Sequence, residues 1–400
     1  MTKFLFEDEA FSFEALRAAG FANYGGADLG EVLAIANAIG STGTEDAWER
    51  EWARAGARAQ SLAEASLARG HRVSAREAFL RASNYFRTAE FFLHKNPTQD
   101  PAVKELFGLS RKTFAAATKL MDGPVEPIKI TYTSTTLPGY LFLVDNTGVA
   151  RPTVIYNSGF DSTLEEGYFA IAAAALGRGY NVLAFDGPGQ GAAIRDQGLT
   201  FRPDWEAVIT PVVDFAKARR EIGQLALFGY SLGGYLCARA AAFEPRLNAL
   251  ILDDGMFNFY ESHTPAIPPF LRNWVESERD DVALPLLEMM MAKNRSMRWG
   301  LLNGVWTFGA SSYADYLRRT KLYTVEGVLD RIKCPTLVLE AEHDHFMKNQ
   351  AKRVLDGLSC DKVHVLLTDA EGAGDHCHMG AMSRAHQVML DWLDEKLQEK

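Results

Sequence analysis

Over the first 120 residues, apolar side chains recur at three- and four-residue intervals, the period of amphipathic helices. The spacing predicts helices over 29–39, 45–69, 74–93 and 101–121. In the third, Ala78, Phe79, Ala82, Tyr85, Phe86, Ala89 and Phe92 form one broad stripe. Ser74, followed by Glu77, reads as a capping box at its start. The aromatics Tyr85, Phe86, Phe91 and Phe92 read as core, and Arg87 and Glu90 as a solvated ion pair.

Near residue 126 the period shifts to that of strands. Segments 128–132 and 140–144 read as a strand pair around the turn-like Thr136-Leu137-Pro138-Gly139. Strands are then predicted at 153–156, 181–185, 224–228, 247–252, 336–339 and 363–367. Helices at 164–176, 205–219, after Ser231, and 379–397 alternate with them. Residues 256–329 break the rhythm with aromatic- and Met-rich helices, placed like a lid. The expectation is an α/β fold, a mostly parallel sheet covered by helices on both faces. An all-helical domain over 1–125 precedes a catalytic domain over 126–400 that carries the lid insertion at 256–329.

Composition narrows the class. The chain has 400 residues, 47% hydrophobic and 23% charged, with net charge −9. An acidic chain lacks the basic face that nucleic acid requires. Acids interrupt the N-terminal Met-Thr-Lys-Phe-Leu-Phe-Glu-Asp-Glu where a signal peptide needs an apolar stretch, and no run of about 20 apolar residues could span a bilayer. Cys237, Cys334, Cys360 and Cys377 are scattered, as free thiols in a reducing compartment are. A cytoplasmic enzyme of a small-molecule substrate is expected, with no nucleic-acid or membrane partner. The large helical additions suit a homodimer.

The chemistry centres on Gly229-Tyr230-Ser231-Leu232-Gly233, between an apolar strand and a strong helix former. There G-x-S-x-G forces the serine onto a tight strand-to-helix turn at a helix N-terminus. A serine nucleophile needs a base and an acid to orient it, in the chain order Ser, Asp/Glu, His. Asp344, just past the strand at 336–339, is the preferred acid, with Glu340, Glu342 and Asp253 as competitors. The glycine-rich loop Ala370-Glu371-Gly372-Ala373-Gly374-Asp375-His376-Cys377-His378 supplies the base, His376 in preference to His378. The N–H groups of Leu232 and Phe160 are the candidate oxyanion donors. Asp161 shapes the loop beside Phe160 or meets substrate. The stretch Phe185-Asp186-Gly187-Pro188-Gly189-Gln190-Gly191 lacks both Walker and dinucleotide spacing and reads as a rigid turn. The histidines and acids of 340–378 lack metal-site spacing, so neither metal nor cofactor is expected. The aromatics Phe257, Phe259, Tyr260, Trp274, Trp306, Phe308 and Tyr313 are too many to be all core, and some should line a pocket.

The motifs at 185–191, 229–234 and 372–377, behind a helical N-terminal region with Arg81-Ala82-Ser83-Asn84-Tyr85-Phe86-Arg87, resemble the α/β-hydrolase superfamily. They resemble in particular its subgroup of 2,6-dihydroxypseudooxynicotine hydrolase and fungal polyketide-shortening hydrolases. The resemblance implies a helical cap over a hydrolase core. It implies cleavage of a carbon–carbon bond beside a ketone by Ser231, Asp344 and His376. It also implies a further acidic residue near the lid, at Tyr260-Glu261-Ser262-His263-Thr264-Pro265, where Glu261 fills the place or His263 replaces it. Tyr230 joins these as a candidate substrate contact.

Overall fold

The computed structural model describes residues 3–397. Five helices come first: α1 (Glu9–Gly20), α2 (Leu29–Ile39), α3 (Glu45–Ala68), α4 (Arg72–Glu90) and α5 (Pro101–Thr118). The side chains of Asp8, Asp28, Thr44 and Asp100 cap the starts of α1, α2, α3 and α5. The Ser74–Glu77 box does not form, because α4 has already begun at Arg72. Helices α3 and α4 approach so closely at Gly56 that a Cβ there would stand 2.8 Å from the Phe86 ring. Phe11, Trp48, Trp52, Tyr85 and Phe92 form their shared core.

An eight-stranded sheet follows, ordered β1-β2-β4-β3-β5-β6-β7-β8. Its strands are β1 (Val125–Tyr132), β2 (Thr135–Phe142), β3 (Arg151–Asn157), β4 (Asn181–Phe185), β5 (Ile222–Tyr230), β6 (Ala249–Asp253), β7 (Thr336–Ala341) and β8 (Lys362–Leu367). Strand β2 runs antiparallel to β1 and β4, and the remaining pairs are parallel. The turn expected at 136–139 lies earlier, at Thr133 and Ser134, and Pro138 and Gly139 sit inside β2. Pro138 still accepts the Asp186 N–H through its carbonyl. A Cβ on Gly139 would stand 2.6 Å from the Ala184 carbonyl, so the strand needs glycine there.

The sheet is covered by α6 (Ala173–Leu176), α7 (Gly191–Gln197), α8 (Glu206–Lys217), α9 (Gly233–Ala241), α15 (Gln350–Gly357) and α16 (Met382–Leu397). The helix expected over 164–176 is a 3-10 turn, a π turn at Tyr168–Ala172 and α6. Between β6 and β7 lie α10 (Phe259–His263), α11 (Pro269–Glu276), α12 (Asp280–Met291), α13 (Arg295–Thr307) and α14 (Tyr313–Thr320). Strands β4 and β6 are buried along their whole length, which is why they read as continuous apolar runs. One face of the sheet packs on α8, α9 and the inserted helices, and the other on α16 and the N-terminal helices. No helix among the described residues is long and apolar enough to cross a membrane.

Candidate active site

Strand β5 turns into α9 through Ser231, whose φ of 59° is left-handed. The turn is tight enough that a Cβ on Gly229 would stand 2.1 Å from the Gly233 carbonyl. A Cβ on Gly233 would lie 2.6 Å from the Asn157 carbonyl. Glycine at both positions is therefore steric necessity. The Ser231 N–H donates to the Asp253 carbonyl at 2.6 Å, tying the elbow to β6.

His376 Nε2 lies 2.9 Å from Ser231 Oγ, and His376 Nδ1 lies 2.6 Å from Asp344 Oδ2. The other Asp344 oxygen accepts the N–H groups of Phe346 and Met347 at 2.7 and 2.9 Å. That turn fixes the carboxylate while leaving Oδ2 for the imidazole. Burial disfavours charge on His376, but the adjacent Asp344 holds its pKa well above the ordinary histidine value.

The competing acids and base go elsewhere. Glu340 pairs with His364 at 2.8 Å, and Glu342 accepts the Asp369 N–H. Asp253 Oδ1 lies 3.2 Å from His378 Nε2. His378 is fully enclosed, with Nδ1 2.9 Å from the Ala373 carbonyl. Its burial is outweighed by Asp253 and Asp254, which push its pKa up to about 9. Asp254, which sequence reasoning missed, places Oδ2 3.3 Å from His376 Nδ1 and accepts the Cys377 N–H at 3.2 Å. Its only sequence signal is its place directly after a buried strand.

Gly159 sets the loop beside the serine. A Cβ there would stand 2.8 Å from both Ser231 Cβ and the Tyr230 carbonyl. Phe160 and Leu232, the expected oxyanion donors, both line the cavity above Ser231. The rigid turn at 185–191 has a purpose that its composition hid. The Gln190 amide donates to the carbonyls of Ser158 and Gly159 at 2.6 and 3.0 Å, and its oxygen accepts the Gly187 N–H. Gln190 therefore clamps the stretch that carries Phe160.

The cavity over Ser231 and His376 measures about 330 Å³. Tyr230, Asp161 and His263 line it. His263 packs edge-on against Phe160, Phe259 and Tyr316, and burial lowers its pKa to about 4, so it is neutral. Glu261 does not reach the cavity. Its side chain is 45% exposed and pairs with Arg353 on the surface. Of the inserted aromatics singled out from sequence, Phe259 lines the cavity, whereas Phe308 is core. Trp299 lines it too, stacked on Phe91 at 4.3 Å.

The far wall comes from α1, which the periodicity did not predict. Phe13, Glu14 and Arg17 face the cavity. Arg87 and Glu90 are buried, not solvated. Arg87 meets Glu166 at 2.8 Å, and Glu90 meets Arg195 at 2.7 Å.

The family model described as "Alpha/beta hydrolase family" matches residues 158–389, and one described as "Esterase FrsA-like" matches 37–253. "Hydrolase LUC6" of a Fusarium species is 36% identical over 98% of this chain and 97% of its own. "20-hydroxy-prefusarin hydrolase FUS2" of Gibberella moniliformis is 36% identical over the same shares. The crystal structure of 2,6-dihydroxy-pseudo-oxynicotine hydrolase superposes with a TM-score of 0.75, covering 95% of this chain and 96% of its own at 22% identity.

Proposed function

The chain belongs to the α/β hydrolase family and is a hydrolase, and from that premise we propose that it is a serine hydrolase cleaving an acyl–carbon bond beside a ketone. The observation that carries the serine part is the unbroken chain from Ser231 Oγ through His376 to Asp344, at 2.9 and 2.6 Å. The ketonic, polyketide-like substrate class leans on the relatives, one of them named for 20-hydroxy-prefusarin. A largely aromatic cavity wall of Phe13, Phe91, Phe160, Phe259 and Trp299 suits it. In this reading residues 1–125 act as a cap and 256–329 as a lid, and the enzyme works as a cytoplasmic homodimer with no cofactor.

Ser231 Oγ attacks the ketone carbon while His376 Nε2 takes its proton. Asp344 orients the imidazole and stabilises the imidazolium. The tetrahedral oxyanion is held by the N–H groups of Leu232 and Phe160. Its collapse breaks the carbon–carbon bond and releases an enolate or an electron-rich aryl carbanion, which takes the proton from His376. Water, deprotonated by His376, then attacks the acyl-serine and frees the acid. The sum adds one water: a carboxylic acid leaves on one side and a C–H compound on the other.

The esterase-described family model over 37–253 favours a second reading, ester hydrolysis at the same serine. Mass spectrometry after incubation with acyl-phenols, 1,3-diketones and p-nitrophenyl acetate separates the two. Ketone cleavage that Ser231→Ala abolishes supports the first reading. Turnover of the ester alone replaces it with the second.

A further inference from the structure

Glu9, Ala10, Phe13, Glu14 and Arg17 occupy one face of α1, and all five line the cavity. The Phe13 ring lies 6.1 Å from the His376 imidazole, centroid to centroid, so this face adjoins the triad histidine. Arg17 reaches Asp161 at 2.9 Å and the Ser162 hydroxyl at 3.1 Å, directly after Phe160 in the chain. A charged patch therefore sits inside a pocket lined mostly by apolar side chains, and the proposed chemistry of Ser231, His376 and Asp344 has no use for it.

The patch has one carboxyl to spare. Glu14, Asp161 and Glu166 share the guanidiniums of Arg17 and Arg87. Asp161 and Glu166 hold them at 2.8 to 2.9 Å. Glu14 touches them only at 3.4 and 3.6 Å, both through Oε2. Its Oε1 accepts no hydrogen bond among the described residues, yet it is not sealed within the protein as Arg17 Nε is. In a residue that is 5% exposed and lines the cavity, that oxygen opens on the cavity. Burial, against the pull of Arg17 and Arg87, pushes the Glu14 carboxyl up to about 7. With that proton in place the five side chains are neutral together. A charged ligand group would then be buried here without a counter-charge, which is costly.

We propose that Glu14 forms a polar subsite of the substrate cavity, its carboxyl donating a hydrogen bond to a second, uncharged carbonyl oxygen of the substrate. That carbonyl is distinct from the one Ser231 attacks. The inference rests on the cavity being the substrate site, but not on which bond is broken there. Glu14 is a specificity residue in this scheme: it selects substrates with two oxygens at the right separation over those with one.

The test is calorimetric binding to the full-length Ser231→Ala protein, which turns nothing over and so does not depend on the bond cleaved. The ligands are 1-phenyl-1,4-pentanedione and 1-phenyl-1,5-hexanedione, against 1-phenyl-1-pentanone. At pH 6 at least one diketone should bind about tenfold tighter than the monoketone, the worth of one buried hydrogen bond. The advantage should shrink as pH rises past 7 and Glu14 loses its proton among Arg17, Arg87, Asp161 and Glu166. Glu14→Leu should erase it. Glu14→Gln, whose amide also donates, should keep it and remove its pH dependence, a readout that a merely structural role would not move. The proposal is overturned if no diketone gains over the monoketone, if Glu14→Leu keeps the gain while its melting curve is normal, or if the pH dependence survives in Glu14→Gln. Failure of ketone cleavage in the active enzyme, with this binding pattern intact, would instead remove only the carbon–carbon reading.

Discussion

His376 Nδ1 faces two carboxylates, Asp344 Oδ2 at 2.6 Å and Asp254 Oδ2 at 3.3 Å. The shorter contact carries the orienting hydrogen bond, and the longer one adds negative potential on the same side of the ring. The two should therefore differ in effect. Asp344→Asn should lower kcat for p-nitrophenyl acetate on the order of 10⁴-fold, the loss expected when the orienting acid of a triad becomes an amide. Asp254→Asn should cost about tenfold, the scale of one weakened supporting contact. Steady-state kinetics of both variants check the ranking, and equal losses would contradict it.

Gln190 is the next test, because it holds the loop that carries Phe160, the proposed oxyanion donor, without itself lining the cavity. Its amide holds the carbonyls of Ser158 and Gly159, and the Phe160 N–H follows immediately. Gln190→Ala frees that stretch to shift, and sub-ångström placement of donors governs oxyanion stabilisation. The expected result is a drop in kcat of about 10²-fold with KM changed by less than about threefold. A rise in KM at constant kcat would mean that the loop shapes binding instead.

The strands and the juxtaposition of Ser231, His376 and Asp344 were legible because their signals are local. Strand β4 is buried throughout and reads as an apolar run. The elbow needs its glycines, and Asp344 and His376 follow the last two parallel strands in the expected order. Helix α1 was not legible for the opposite reason. Phe11, Ser12, Phe13, Glu14, Ala15, Arg17, Ala18 and Ala19 are all buried, so burial runs around the helix and leaves no amphipathic stripe. Glu14 and Arg17 look like a solvent face in sequence, and only the acids of 161–166, far along the chain, show otherwise. Glu261 failed in the reverse sense. Its place near the inserted helices was read correctly, but its side chain points outward to Arg353, a choice of helix face that a five-residue helix does not encode.

The buried ion pairs should decide how firmly α4 holds to the sheet. Arg87 and Glu166 are 5% and 4% exposed at the side chain and meet at 2.8 Å. Arg17 reaches the other Glu166 oxygen at 2.9 Å. Glu166→Ala would leave two guanidiniums short of a buried counter-charge, at a cost of about 3–5 kcal/mol. Urea denaturation followed by tryptophan fluorescence should show a midpoint lowered accordingly. Asp122→Ala, which removes an exposed contact to Arg76 at 2.9 Å, should cost about 1 kcal/mol or less.

Stability should fall with alkalinity through His378. Burial alone would lower its pKa, but Asp253 and Asp254 raise it to about 9, above the ordinary value of 6.5. A group whose folded pKa is raised stabilises fully below its unfolded pKa and loses that contribution as pH climbs through the folded one. The window is therefore pH 6.5 to 9, and a shift from 6.5 to about 9 corresponds to about 3 kcal/mol. In a chain of 400 residues that is a fall of about 4 °C in Tm. Asp186, which burial raises to about 8, works in the same direction, because the folded state holds a proton that the unfolded state has released. The two separate by substitution. His378→Gln should start with a lower Tm at pH 6 and lose less of it between pH 7 and 9.5, leaving the Asp186 share behind. Parallel Tm curves for the variant and the parent across that range would show that His378 does not carry the proton between those two carboxylates.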